Sequence, residues 1–380
     1  MIAMPNTQYD LVVVGAGPAG CHTSQIVAKA GYKVLVVEEH AEVGVPTQCT
    51  GLVSEKIGKI PDEIVVNIID TARFFCGETS FDVKPKEDMI LIDRRAFDKF
   101  IYKQAAEAGA EFKFNTRFLG YEKNEKEIDK GIEKGIEKRI EKRLKVKTTN
   151  GNFETKVLVG ADGPNSAVAK SAKIKQPKNL LYLMQVRARL KFDPEVVELW
   201  FGNDIAPGNF AWVVPEDSTV ARIGVMANVN PSDLFEKFFK RRMEYPLNVE
   251  SKQISDRIGD VIRYGLIEKS VSNNVILVGD AAAQVKPFSA GGLIYGQIGA
   301  RYAGSAVVRA LNENNFSEKF LMEHYDKRWK SELEKGIERG LMVKKIFSVI
   351  EDSSFTFGVI KNLKLAKIAS LLDVDFIGKG

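Results

Sequence analysis

The sequence predicts an α/β fold in which a Rossmann-like domain carries an inserted antiparallel β-sheet cap and ends in C-terminal helices. Three observations predict it. Residues 9–38 run as strand, Gly-rich turn, amphipathic helix and strand, and residues 180–227 break into short strand-like runs separated by turn residues. Residues 275–304 then return to strand, loop and helix. At 380 residues the chain is long enough for two packed domains with a large core.

The first apolar run ends in Gly15, Gly17, Ala19 and Gly20. In such a turn the first Gly permits the tight bend and the second lets backbone N–H groups approach a pyrophosphate. The third lets the helix pack closely on the strand, so that its N-terminus faces the anion. Glu38 follows Gly20 by eighteen residues, where an acid accepts a hydrogen bond from an adenosine ribose. The next segment, HAEVGVPTQCTGLVS, is rich in Gly, Pro and Thr and reads as an ordered loop followed by a short helix, well placed to touch a cofactor. ILIDRRAFDKF then sets Asp93 before a helix with Ala96, Phe97, Phe100, Ile101 and Ala105 mostly on one stripe.

Residues 122–147 hold ten basic and seven acidic side chains, and Ile128, Ile132, Ile136 and Ile140 recur at a four-residue step. That step drifts around a helix of about 3.6 residues per turn, and Gly131 and Gly135 weaken it. A solvated, partly helical insertion at a hairpin tip is expected, with a partner-binding helix as the alternative. Asn150-Gly151 marks the turn of the next hairpin. The expected organisation is a cofactor domain over 1–175, a cap over 176–268, the rest of the cofactor domain over 269–312 and a helical region over 313–380, with KNLKLAKIASLL as its clearest amphipathic stretch.

Much of the net charge of +5 lies in the 122–147 segment, which leaves no sign of a nucleic-acid groove. Cys21, Cys49 and Cys76 give neither a disulfide framework nor a zinc pattern, and His22, His40 and His324 give no triad or metal set. A reducing cytoplasm is the expected compartment. The first strand begins within about ten residues of the N-terminus, too soon for a signal peptide. No apolar run reaches about eighteen residues, so no bilayer span is expected, though contact with the inner membrane face remains open.

LVGADGPNS and ILVGDAAAQVKPFSAGG both place an acid, Asp162 and Asp280, at the carboxyl end of an apolar strand. Open α/β sheets bind ligands at that edge, so both can arrive near the cofactor; each alone also suits a helix cap. In this order, GxGxxG with Glu38, DRRAFD, GADGPNS and GDAAAQVKPFSAGG resemble the FAD-binding flavoprotein monooxygenases and reductases, over roughly residues 1–310. The resemblance implies that Arg94 contacts the FAD phosphates and Asp280 the ribityl chain. It also implies that Gly292 with Leu293 meets the isoalloxazine and that the backbone near Phe118 packs by the adenine.

Two further stretches resemble the geranylgeranyl reductase family. VPTQCTGLVS is similar to its Pro-x-x-Cys-x-Gly loop, and APGNFAWVVP to its Tyr-x-Trp-x-Phe-Pro motif; Trp212 and Pro215 are kept, while Phe210 stands for Tyr and Val214 for Phe. Side chains alternate along a strand, so Phe210, Trp212 and Val214 share a face that suits a long apolar chain, with Phe288 nearby. The likeness implies FAD-dependent reduction of isoprenoid double bonds in archaeal membrane lipid precursors. Cys49 would be catalytic, and Cys49, Thr50 and Gly51 would lie beside the flavin; by itself a lone Cys reads as a small buried hydrophobe. A prenylated lipid is the implied substrate, with ferredoxin, reduced deazaflavin or NAD(P)H as electron donor. A flavin-dependent aromatic hydroxylase and a non-redox prenyl-binding protein of the Rab escort type are the alternatives. Arg187, Arg189 and Arg222 either meet a phosphate headgroup or are solvated edge charges.

Overall fold

Short runs of Val, Ile and Leu, too apolar for an exposed strand, dictate where the layers meet. In the computed structural model the described residues are 7–349, apart from 48, 78, 86, 130–137, 190, 245–251 and 254–256. Thr7–Val14 (β1) leads through the Gly-rich turn into Pro18–Lys29 (α1) and Val34–Val37 (β2). Leu52–Val53 (β3), Val65–Ile69 (β4), Thr71–Cys76 (β5), Thr79–Val83 (β6) and Met89–Ile92 (β7) precede helix Arg94–Glu107 (α2) and Glu111–Lys113 (β8). Phe118–Asp129 (β9), Lys138–Thr148 (β10) and Gly151–Gly160 (β11) are followed by the short helix Ala167–Ser171 (α3). Asn179–Arg189 (β12), Val196–Phe201 (β13), Ala211–Pro215 (β14) and Val220–Ala227 (β15) lead to helix Ser232–Glu244 (α4), Lys252–Gln253 (β16) and Ile258–Tyr264 (β17). Val271–Ser272 (β18), Val275–Leu277 (β19) and helices Leu293–Glu313 (α5), Glu318–Leu321 (α6) and Lys327–Val349 (α7) complete the order.

The first sheet runs β18-β19-β11-β1-β2-β8, with β10 and β9 attached beyond β11. β1 is parallel to β2 and β11, and β11 to β19, so their carboxyl ends all open on one edge. Val12, Leu35, Leu158 and Ile276 are fully buried, as expected for a parallel sheet covered on both faces. α1 can lie this close only because residue 20 is Gly: a Cβ there would stand 2.1 Å from the Gly15 carbonyl oxygen. α5 packs on α1 in the same way, with Gly304 against Ile26.

The second sheet is the cap, in the order β16-β12-β15-β14-β13-β5-β6 with β17 also on β12. Its pairs are antiparallel except β13 with β5, which is parallel. One face carries Leu181, Val197, Phe201, Phe210, Trp212 and Val214, packed with Val285 and Phe288 of the cofactor domain. The other carries Val186, Val213, Ile223 and Val225, covered by Phe235 and Phe238 of α4. Strands from residues 71–83 thus complete a cap that the sequence placed within 176–268. A small third sheet, β3-β7-β4, lies beside the Cys49 loop.

The described parts of the 122–147 segment are not helical. β9 and β10 pair antiparallel as far as Asp129 and Lys138. A four-residue step is also a multiple of the two-residue strand repeat, so the Ile pattern fits a strand at least as well as a helix. The KNLKLAKIASLL stretch lies outside the described residues.

Candidate functional site

The carboxyl ends of β1 and β2 build the first part of the site. Gly15 N–H donates to the Val37 carbonyl at 2.9 Å, and Ala16 N–H donates to Glu38 Oε2 at 2.7 Å. Glu38 Oε1 also accepts from His40 N–H at 3.0 Å. α1 starts at Gly17 with Pro18 next, without a capping side chain or an acidic residue in its first turn. Its free N–H groups therefore present the positive end of the helix. A Cβ on Gly17 would meet nothing within 4 Å, which is room for an anion against that helix end. Thr116 N–H donates to the Glu38 carbonyl at 2.7 Å, which brings the stretch leading to the buried Phe118 alongside Glu38.

The two sheet-edge acids have different surroundings. Asp162 lies ahead of α3, whose N-cap is Ser166, and accepts from Ser166 Oγ at 2.6 Å and from Val168 N–H at 3.0 Å. Asp280 has no capping bond in its turn and lies against Gly292, where a Cβ would stand 2.8 Å from Asp280 Oδ1. Burial pushes the Asp280 carboxyl up to about 6, against the pull of Arg94. Gly292 precedes α5, whose N-terminus again lacks a side-chain cap, so a second positive helix end opens near Leu293.

Arg94 joins these parts. Its Nη2 donates to Asp98 Oδ1 at 3.1 Å. Burial works against its charge, but Cys49 and Asp98 outweigh it and keep the guanidinium protonated. Cys49 Sγ accepts from Gly51 N–H at 3.3 Å. Gly51 has φ +81, and a Cβ there would stand 2.6 Å from the Ile92 carbonyl oxygen, so this loop turns where only Gly fits.

The cap holds the loop from above. Arg222 of β15 donates to the carbonyls of Thr50 and Ile92 and pairs with Glu216 at 2.8 Å. Arg187 pairs with the same Glu216. Arg222 thus braces the loop directly, while the half-exposed Arg187 reaches Glu216. Gln185 Oε1 accepts from Thr50 Oγ1 at 2.8 Å and from Trp212 Nε1 at 3.1 Å, so Thr50 is tied to the cap.

Phe210, Trp212 and Val214 share one buried face, as their alternation implied. The Phe210 ring lies tilted against Phe288 and Phe201, each at 5.6 Å between centroids, and Phe347 of α7 lies 5.0 Å from Phe288. Pro215 does not join them. It has the opposite parity, and its carbonyl accepts from Asn67 Nδ2 at 3.0 Å, fixing the strand end. Asp260 of β17, which sequence reasoning passed over, lies within electrostatic reach of Asp280 and Arg94; burial raises its carboxyl to about 7, helped by Asp280 and opposed by Arg94. Its signal was an acid alternating with Ile258, Ile262 and Tyr264 in one strand. Lys344 was passed over too. It donates to Asn209 Oδ1 at 2.5 Å, sits 4.8 Å from the Tyr264 ring centroid, and burial lowers it to about 8.

The open helix ends, the Gly-lined turn and the buried Asp280 fit an extended dinucleotide with a polar chain in its middle. Comparison with known proteins agrees. Residues 8–328 match the FAD binding domain family. A digeranylgeranylglycerophospholipid reductase of Methanocaldococcus jannaschii is 30% identical over 359 residues, covering 91% of this chain and 88% of that protein. The reductase of the same name from Methanosarcina acetivorans is 30% identical over 97% of this chain and 92% of its own length. Among solved structures, a geranylgeranyl bacteriochlorophyll reductase-like protein from Thermoplasma acidophilum superposes with a TM-score of 0.83 at 21% identity, covering 97% of each chain. A flavin-dependent brominase superposes with a TM-score of 0.68 at 16% identity, covering 98% of this chain and 95% of that one.

Proposed function

The chain belongs to the FAD-binding-domain flavoproteins and, within them, to the family of the digeranylgeranylglycerophospholipid reductases, and from that premise we propose that it reduces isoprenoid double bonds of a geranylgeranyl lipid precursor. FAD, when bound and reduced, supplies the hydride. The chain supplies geometry and surroundings. The turn of Gly15, Gly17 and Gly20 with Glu38 holds the adenosine and pyrophosphate, and Arg94 and Asp280 flank the middle of the cofactor. The N-terminus of α5 at Gly292 and Leu293 favours negative charge at the flavin end.

Isolated alkenes accept hydride poorly, so the double bond must be fixed against the flavin in a dry slot. The observation that carries this reading is the apolar cap face of Phe201, Phe210 and Trp212, which meets Phe288 of the cofactor domain beside the Cys49 loop. Phe210, where the family motif has Tyr, offers the substrate an apolar wall at that position. Cys49, next to Arg94, is the loop residue nearest in chemistry to the reacting end.

The electrons come from an external donor such as ferredoxin, reduced deazaflavin or NAD(P)H, met transiently. Among the described residues no helix is long and apolar enough to cross a membrane. Met342 and Ile346 are 49% and 43% exposed one turn apart on α7, next to Phe347 of the aromatic wall. Such a pair suits dipping into a lipid surface at the mouth of the slot.

Anaerobic incubation of the dithionite-reduced enzyme with a digeranylgeranyl lipid, read by mass spectrometry, tests the assignment. Gain of one pair of hydrogens per double bond is expected. An oxygen-dependent product with no reduced lipid would sink it and favour the oxygen chemistry of a hydroxylase.

A further inference from the structure

Adding hydride to an alkene leaves the second carbon in need of a proton, and the source must sit on the dry side of the slot. Strand β17 pairs antiparallel with β12, placing Ile258 opposite Gln185, Asp260 opposite Leu183 and Ile262 opposite Leu181. Directly opposed residues of such a pair point to the same side. Leu181, Leu183 and Ile262 belong to the cluster of Phe210, Trp212 and Phe288, and Gln185 accepts the Trp212 indole N–H. Asp260 therefore interrupts the row of Ile258, Ile262 and Tyr264 on the face that carries the aromatic cluster.

A carboxylate on such a face is unfavourable unless it is paired. Its Oδ1 accepts the Val261 N–H at 2.7 Å. The charged groups facing it come from other elements: Asp280 ahead of α5, and Arg94 of α2. Burial and Asp280 favour the neutral acid, while the Val261 N–H and then Arg94 limit the rise to about 7. On its own strand, Arg263 points away to the carbonyls of Pro164 and Pro177, and Tyr264 offers a hydroxyl whose proton burial also retains.

We propose that Asp260 is the acid that protonates the second alkene carbon, a role that rests on the reductase reading above. The π bond breaks, and one carbon gains the hydride drawn from the reduced flavin, which is thereby oxidised. The Asp260 O–H bond breaks as its proton forms the C–H bond on the other carbon. The alkene gains two electrons and two hydrogens, and the Asp260 carboxylate takes its proton back from water.

The test uses the FAD-loaded full chain with Asp260→Asn, Asp260→Glu and Tyr264→Phe. In single turnovers of the dithionite-reduced enzyme, Asp260→Asn is expected to slow reduced-lipid formation by about a hundredfold or more at unchanged KM, and Asp260→Glu to recover part of it. The wild-type rate should fall as pH rises above about 7, when the acid loses its proton, and Asp260→Asn should lose that limb. Without lipid, the infrared carbonyl band of protonated carboxyls should show in the wild type a component titrating near 7 beside that of Asp280 near 6, and Asp260→Asn should lose the component near 7. An undiminished rate in Asp260→Asn, loss of the alkaline limb in Tyr264→Phe instead, or a band unaltered by Asp260→Asn would each overturn the proposal. Absence of reduced lipid with the wild type as well would overturn the reductase reading, and the infrared titration would still decide the state of Asp260.

Discussion

Trp212 and Gly224 sit opposite each other on β14 and β15, and a Cβ on Gly224 would stand 2.2 Å from Cζ2 of the indole. The indole can cross its neighbouring strand only because that strand carries no side chain there, and the same crossing lets its N–H reach Gln185. Gly224→Ala should therefore evict the ring. We expect a loss of about 1–3 kcal/mol, as for overpacking of a core, read by thermal unfolding, with a change in tryptophan fluorescence. An unshifted melting curve would show that the indole has room the structure denies it.

Arg222 joins three pieces of chain, and its removal should loosen one of them selectively. Arg222→Met leaves the Thr50 and Ile92 carbonyls without their donor and Glu216 with Arg187 alone. The side chains of Arg222 and Glu216 are 14% and 9% exposed, so a loss of roughly 2 kcal/mol is expected. Limited proteolysis should cut the variant within residues 45–51 faster than the wild type. Equal cutting would mean that the loop holds itself.

Asp280 gives stability a pH dependence in the cofactor-free protein. Its folded pKa of about 6 lies above that of an ordinary aspartate, so the native chain binds a proton that the unfolded chain releases. The contribution is full below the unfolded pKa of about 4 and lost as pH rises through about 6, on the order of 3 kcal/mol. Asp260 titrates in a neighbouring window with the same sign. Asp280→Asn should thus flatten the lower part of the decline between about pH 4 and 7 without abolishing it. Urea unfolding at several pH values reads this directly; parallel curves for wild type and variant would contradict it.

The exposed pair on α7 predicts lipid contact without a role in folding. Met342→Ser with Ile346→Ser should lower co-sedimentation with anionic vesicles several-fold while the melting temperature stays within about 2 °C, since both side chains face solvent. Undiminished vesicle binding would remove α7 from consideration as the docking face.

The cofactor half of the site could be read from sequence because its chemistry is local. Gly15, Gly17, Gly20 and Glu38 fall within one strand-helix-strand unit, where spacing alone sets geometry. Phe210, Trp212 and Val214 were legible for the same reason, by alternation within one strand. Asp260 was not, since its facing depends on pairing with β12, a strand some eighty residues earlier. Arg222 looked like a headgroup ligand or an edge charge because Thr50 and Ile92, whose carbonyls it reaches, lie more than a hundred residues earlier. Asp162 is anchored locally, by Ser166 and Val168 four and six residues on. In the 122–147 segment the four-residue beat satisfies two periodicities at once; its described flanks are the strands of a hairpin, and the tip expected to be partly helical, 130–137, lies outside the described residues.

The parallel pairing of β13 with β5 makes the cap a joint property of two distant parts of the chain. A transplant of residues 176–268 into a relative would arrive without the strands of 71–83 that finish its edge, and would have to accept the host's. The cap is therefore not a detachable module in this architecture. It is inherited together with the segment that leads from the cofactor loop, and on the ribosome that hairpin must wait for more than a hundred further residues before the sheet it belongs to can close.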